Sequence, residues 1–292
     1  MTLSAIVNGV TYPLDDGTYC YWIGDDGLGM APMRRLSERG PLQHGDTDRG
    51  YRLDPRMVRL VLDIIAETRA EMFSKRASLL GIFSPVNSKV ILQMQLDART
   101  YRLDMNYIAQ MAMPSTERMG WNQTLVVDLK ANDPTWYKST GDSYSFSVGA
   151  GADLMEVPTV IPMSVGGTTV SATVPVTYSG SFPAYPRIRI NGPIVSCVIT
   201  NNSTGKKLDF TGTTISAGTY YDIDCRYGYK TVIDNSGTNR ISNLTSDSDL
   251  STWSLVPEPI ALGGVNSITA FGLSANQNTS VDINWTERYL GI

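Results

Sequence analysis

Apolar residues recur at every second position through much of this 292-residue chain, and at a helical spacing in one place only. Successive side chains of a strand point to opposite faces, so alternation at period two marks half-buried strands. The pattern predicts a mainly β protein built around one helix. Leu60, Leu62 and Ile64 alternate with Arg59, Val61 and Asp63, which predicts a strand over 58–65. Val90, Leu92, Met94 and Leu96 alternate going out, and Tyr101, Leu103, Met105 and Tyr107 coming back, so 90–107 reads as a hairpin turning at 97–100. Leu3 to Tyr12 reads as a strand with a turn at Asn8-Gly9, and Thr124 to Leu129 as a further strand closed by Asn132-Asp133-Pro134. Residues 15–50 are rich in Gly, Asp and Pro and predict turns with one or two short strands.

The period changes after residue 65. Ile65, Met72 and Leu79 recur at seven, with Phe73 and Leu80 beside them, and Glu67, Arg69, Glu71, Lys75 and Arg76 are left for water. This predicts a helix over 66–80 with those five apolar residues on its buried face. Gly81 is expected to end it in the left-handed conformation, and Pro85 prevents it from resuming.

Between Lys138 and Arg187 the chain has no Lys or Arg, and Gly, Ser, Thr, Val and Pro dominate. Three regions are expected: a β-rich N-terminal domain over 1–140, a Gly/Pro/Val-rich connecting β-arm over 141–186, and a C-terminal β-sandwich over 187–292. Strand character inside the arm, at Thr159-Val-Ile-Pro and Val170-Ser-Ala-Thr-Val-Pro-Val, suits a crossing arm better than a loose tether. In the last region Arg187–Ile190, Ile194–Thr200, Lys207–Phe210, Tyr220–Cys225 and Val281–Trp285 read as short strands separated by turns. Such spacing predicts a sandwich of the jelly-roll kind.

Charge excludes some roles. A net charge of −4 is a poor basis for tight nucleic-acid binding, which needs clustered Lys and Arg against phosphate. The N-terminus has no basic segment followed by an apolar run, and no stretch is apolar for the eighteen or so residues a membrane helix needs. A soluble protein made in the cytosol is expected. The three cysteines, Cys20, Cys197 and Cys225, include no C-x-x-C, so neither a disulfide framework nor a zinc site is indicated.

Catalytic patterns are sparse. The single histidine, His44, lies in a loop and no G-x-S-x-G accompanies it. Gly24 to Gly29 is glycine-rich but lacks the Lys-Ser/Thr of a phosphate loop. Asp222 with Asp224, and Asp247 with Asp249, were the carboxylate pairs to weigh for glycoside hydrolysis, which needs two acids across a cleft. Spacing alone makes neither an acid/base pair, and no catalytic residue, cofactor or metal is expected. The aromatics Tyr220, Tyr221, Tyr227, Tyr229 and Trp253 gather in the second half. An exposed ring can stack on a sugar, and Trp253 and Tyr229 are the candidates, against ordinary burial in strands.

Taken in order, several segments resemble the distal tail protein (Dit) family of siphophages. Tyr51 to Ile65 is similar to the family's strand before its helix, and the Glu/Arg-rich helix and the hairpin follow in place. Leu125 to Tyr137, with its Asp-Pro-Thr-Trp-Tyr ending, resembles the strand that closes the family's N-terminal domain. Pro186 to Pro193 and Val198 to Leu208 resemble the opening of its galectin-like or carbohydrate-module-like C-terminal domain, and Leu250 to Pro257 and Gly263 to Ile268 its late strands. The resemblance covers almost the whole chain. The stretch 141–183 departs from it by its length.

The resemblance implies a structural virion protein without catalytic residues. It implies a homohexameric ring at the distal end of the tail, joining the tail tube protein to the hub, tip or baseplate, with DNA passing through the lumen. Ring-interface candidates are Arg59, Val61, Asp63 and Ile65, with Ile91, Gln93 and Gln95 on the hairpin. The alternative is a carbohydrate- or receptor-binding tail module.

Overall fold

The computed structural model describes residues 1–87, 89–105, 107–114, 118–149 and 169–292. The chain forms two compact units. One holds Met1–Thr140 together with Tyr289–Ile292, the other Gly141–Arg288.

In the first unit the strands are β1 (Thr2–Val7), β2 (Val10–Pro13), β3 (Tyr21–Asp26), β4 (Met33–Glu38), β5 (Thr47–Leu53) and β6 (Arg56–Ile64). After helix α1 (Arg69–Ile82) come β7 (Val90–Leu96), β8 (Arg99–Met105), β9 (Tyr107–Ala112), β10 (Arg118–Met119), β11 (Asn122–Ala131) and β12 (Trp136–Lys138). One sheet runs β2-β1-β7-β8-β12 and ends on the chain's last strand, Arg288–Tyr289; another runs β10-β11-β6-β3, with β9 also on β11. Their inner faces share one core. Ala5, Leu92, Met94 and Leu103 come from the first sheet, Leu60, Leu62, Leu125 and Val127 from the second, all buried. Each such leucine removed from water stabilises the fold by roughly 1.5–3 kcal/mol.

The alternation over 58–65 lies on β6, whose even-numbered residues from Arg56 to Ile64 are all buried. Asn8 and Gly9, both at positive φ, make the turn between β1 and β2. The hairpin is shorter than expected. It turns at Asp97 and Ala98, and Tyr107 starts β9, which pairs with β11 in the other sheet. Residues 15–50 hold three strands rather than one or two. Among the described residues β4 and β5 pair only with each other, as a two-stranded ribbon.

The helix begins three residues later than its apolar spacing indicated. Thr68 caps it, its hydroxyl accepting from the Glu71 amide at 3.2 Å, and the Glu71 carboxylate accepts from the Glu67 amide at 2.9 Å. A Ser or Thr cap with an acid three residues on satisfies amides that a helix start leaves unpaired. The end also differs. Gly81 stays helical, and the helix closes at Phe83, whose amide bonds the Leu79 carbonyl. Met72, Leu79 and Ile82 are the buried residues; Ile65, Phe73 and Leu80 are 47%, 43% and 52% exposed. The period located the helix, but it could not say which of two adjacent apolar stripes would meet the sheets.

In the second unit the strands are β13 (Asp142–Ser147), β14 (Thr169–Thr177), β15 (Arg187–Asn191), β16 (Ile194–Asn201), β17 (Lys206–Asp209), β18 (Thr214–Ile215), β19 (Tyr220–Asp224), β20 (Thr231–Asp234), β21 (Val265–Leu273) and β22 (Ser280–Trp285); β23 (Arg288–Tyr289) follows. The sheets are β13-β22-β15-β19-β20 and β14-β21-β16-β17, with β18 on β16. They enclose a core that includes Ile188, Ile190, Ile199, Phe210, Ile223, Trp253 and Ile283. All pairings are antiparallel, and the described helical turns here are two 3₁₀ turns at Ile241–Asn243 and Leu262–Gly264. Two segments expected in a connecting arm, β13 and β14, are strands of this sandwich; Thr159 to Pro162 lie outside the described residues.

Candidate assembly surfaces

The titratable groups singled out for chemistry are held by other partners. Asp222 receives both arms of the Arg189 guanidinium at 2.8 Å. Burial pulls the Asp224 carboxyl up, but hydrogen bonds and charge from Arg226 outweigh this and hold it below the usual carboxylate range. Asp247 is brought down to about 2 by hydrogen bonds from Lys207 and Thr245. For Asp249 the upward pull of burial is likewise outweighed, by Lys206 and the Lys207 amide. A general acid needs the opposite shift. His44 is exposed in the turn of the β4–β5 ribbon. Among the described residues no cluster of three His, Cys, Asp or Glu side chains is placed to hold a metal. A cleft of about 370 Å³ opens at one end of the second unit, between Asn191, Pro193, Thr219, Tyr220 and Asn278, and its lining carries no carboxylate, histidine or cysteine.

All three cysteines are buried and outside any disulfide, and the Cys20 thiol donates to the Leu14 carbonyl at 3.5 Å. Burial pushes each thiol up to about 12, with nearby carboxylates adding to it. They are small core residues here, not nucleophiles.

The seven ring-interface candidates fall into two groups. Arg59, Val61 and Asp63 lie on the outer face of β6. Arg59 grips Asp128 of β11 with two hydrogen bonds, at 2.7 and 3.2 Å, and Asp63 accepts from Thr124 at 2.7 Å. Ile65 follows just past the strand, half exposed, and its carbonyl accepts from the Lys75 ammonium at 2.9 Å. Ile91, Gln93 and Gln95 lie on the outer face of β7, opposite Ile6, Ser4 and Thr2 of β1. The two sheets share an inner core, so the two groups point away from each other. Alternation identified both outer faces, but it carried no information on which sheet each strand would join.

The sugar-stacking candidates also separate. Trp253 is fully buried in the core of the second unit, so its ring offers no face to a ligand. Tyr229 is 60% exposed, and the Arg226 guanidinium lies 4.4 Å from its ring centroid. Tyr227, which the sequence reading did not select, is 66% exposed. Its hydroxyl meets that of Tyr185 at 3.0 Å, and the Lys230 ammonium is 5.0 Å from its ring centroid. Gly228, at φ 82°, makes the turn that presents both tyrosines. The Tyr-Gly-Tyr spacing was the available signal.

The β4–β5 ribbon was missed as well. Every residue of β4 is exposed. Across and beside the ribbon run ion pairs Arg34–Asp54, Arg35–Asp48, Arg39–Asp46, Arg49–Glu38 and Arg52–Asp54. Its residues mix charged and apolar side chains without alternation and without a buried side, which a reading by periodicity cannot distinguish from a loop.

No protein-family model matches the chain, and no curated protein matches it by sequence. Solved structures do. The Dit protein (gp 19.1) of phage SPP1, described as a paradigm of hub adsorption apparatus in phages infecting Gram-positive hosts, is similar over 99% of this chain and 99% of that one, with a TM-score of 0.66 at 14% identity. A chain of the phage P2 baseplate in its activated conformation aligns over 100% of this chain and 99% of that one, with a TM-score of 0.49 at 9% identity. The first likeness shows a shared fold across the full length of both chains.

Proposed function

We propose that this chain is a distal tail protein, a structural virion component that forms a ring at the end of a long phage tail. The observation that carries the reading is the end-to-end likeness to a hub protein of a phage adsorption apparatus, spanning both units. Three physical features support it. The carboxylates weighed for catalysis are committed to ion pairs and the thiols are buried. The outer faces of both sheets of the first unit carry half-buried apolar residues between polar ones, such as Val61 and Ile91. Among the described residues the β4–β5 ribbon has no third strand, although isolated two-stranded ribbons are marginal in water. A ribbon with Met33 and Tyr51 43% and 52% exposed gains by lying against another protein.

On this reading the ring joins the tail tube protein to the hub, tip or baseplate, and the candidate interface residues Arg59, Val61, Asp63, Ile65, Ile91, Gln93 and Gln95 lie between subunits. The expected ring is a hexamer with an open lumen. A net charge of −4 suits a channel through which DNA slides without being held. The strands β13 and β14, and Tyr178 and Ala184 beyond them, belong to the second unit's own sandwich, so the proposed contact with a neighbour or the tube falls to the part of 141–186 outside the described residues.

The test is the solution mass of the purified full chain with negative-stain images of the same sample. Six-subunit rings with an open centre are expected. A monomer at all concentrations, both alone and with tail tubes added, would sink the reading.

A second reading, a carbohydrate-binding module, is favoured by the exposed pair Tyr227 and Tyr229 alone. It predicts glycan-array binding that Tyr227→Ala with Tyr229→Ala abolishes without lowering the melting temperature. Silence of the wild type on the array removes it.

A further inference from the structure

Helix α1 has a second apolar stripe that its own chain does not cover. Arg69, Phe73, Arg76 and Leu80 follow at intervals of four, three and four residues, which places them on one face. Phe73 and Leu80 are 43% and 52% exposed. The Arg69 and Arg76 guanidiniums lie 5.5 and 5.6 Å from the centroid of the Phe73 ring, so both charges gather at one aromatic side chain. Among the described residues neither forms an ion pair, whereas Arg34, Arg35, Arg49, Arg59 and Arg189 all hold carboxylates.

The same unit carries a complementary surface. Among the described residues strand β3 lies at the edge of its sheet. Tyr21 and Ile23 on it are 40% and 56% exposed, and Asp25 and Asp26 are exposed at its end. Among the described residues neither aspartate forms an ion pair; Arg59, opposite Asp26, hydrogen-bonds Asp128 and feels the Asp26 charge only at longer range. Asp25 lies opposite Leu60 and Asp26 opposite Arg59, so the two neighbouring carboxylates project to opposite faces of the strand end, and burial and the charge of Asp26 push Asp25 up. A stripe of eleven residues' rise on a helix is about 16 Å long, and a six-residue strand spans about 20 Å.

We propose that α1 of one copy docks on the β3 edge of the next copy, with Arg69 and Arg76 against Asp25 and Asp26, and Phe73 and Leu80 against Ile23 and Tyr21. The inference rests on the ring reading above and names a contact within it. The charges select the arrangement. Two stripes facing each other would oppose arginine to arginine, and two edges would oppose aspartate to aspartate. Only stripe on edge pairs opposite charges, and a contact between unlike patches is the kind that repeats from subunit to subunit into a ring. Like charges across an interface also suppress the wrong pairings.

The experiment is charge reversal in the full chain, read by sedimentation and negative stain. Arg69→Glu with Arg76→Glu, and separately Asp25→Arg with Asp26→Arg, are each expected to raise the subunit dissociation constant at least tenfold, of the order seen for close charge pairs. Each variant keeps one native surface. Mixing the two therefore restores every contact in an alternating ring, and rings are expected to reappear. All four sites are on the surface, and circular-dichroism melts are expected to match the wild type. Wild-type rings that both reversals leave intact, or two dissociated variants that stay apart when mixed, overturn this contact while the ring reading stands. A wild-type chain that never assembles, with or without tubes, removes both.

Discussion

The Arg56 guanidinium donates through Nη2 to the Leu290 carbonyl at 2.6 Å, joining the start of β6 to the end of the chain. The same side chain donates to the carbonyls of Gly27, Gly29 and Pro134 at 2.7, 2.5 and 2.8 Å. Arg56 is 1% exposed, and burial brings its guanidinium down to about 10. It remains charged at any ordinary pH, and its charge is met by four carbonyl dipoles rather than a carboxylate. The last residues are thereby fastened into the first unit, where Tyr289 also packs edge-on to Tyr101 at 5.1 Å.

Replacing Arg56 by Met leaves four inward carbonyls without that donor. We expect the first unit to lose about 3–5 kcal/mol, the range for breaking a buried charged network. Lysine should not rescue it, because a single ammonium cannot span carbonyls on three segments as the planar fork does. Denaturant unfolding of Arg56→Met, Arg56→Lys and wild type checks this. Equal stability of the lysine variant would show that the fork geometry is immaterial.

The helix cap gives a smaller effect. Thr68→Ala removes the acceptor for the Glu71 amide and is expected to cost about 1 kcal/mol. Thr68→Asn or Thr68→Ser should retain most of the stability. Urea midpoints at a shared slope are the measurement.

Acid sensitivity is expected to reside partly at Asp234. Its carboxylate accepts from the Ser236 hydroxyl, Arg240 and the Ser236 and Thr238 amides, and these hold it well below its ordinary value of 3.8. A depressed folded value means that the contribution is complete above the unfolded value and is lost as pH falls below about 4 toward the folded one. Asp234→Asn should therefore lower stability at pH 7 and flatten its decline below pH 4. An unchanged acid profile in the variant would place that sensitivity elsewhere.

Thiol chemistry provides a global check. With Cys20, Cys197 and Cys225 buried and pushed up to about 12, a thiol reagent at pH 7.5 is expected to label none in the native protein and all three in denaturant. Rapid native labelling of one would mark a local opening around that cysteine.

Much of the β framework is legible in the residues. Alternation marks β6, β7, β8 and β11 because each has one face in the core and one outside it, and the seven-residue recurrence marks α1. Elements without that contrast escape. The β4–β5 ribbon has no buried side, and β20, whose residues do alternate, is too short at four residues to show it. Burial of Trp253 could not be read from a tryptophan following a polar loop, since it depends on two sheets closing over it.

The sequence by itself determined that this chain would be strands around one helix in two unequal chemical halves, because periodicity and composition are local properties that burial acts on directly. Only the tertiary structure decided that Phe73 would face outward while Met72 faced inward, that Leu290 would return to Arg56, and that Arg59 and Ile91 would lie on opposite sides of one sandwich. Those outcomes depend on which strands pair and which helix stripe fits the remaining space. Such choices are made by packing between segments far apart in the chain, where no local pattern records them.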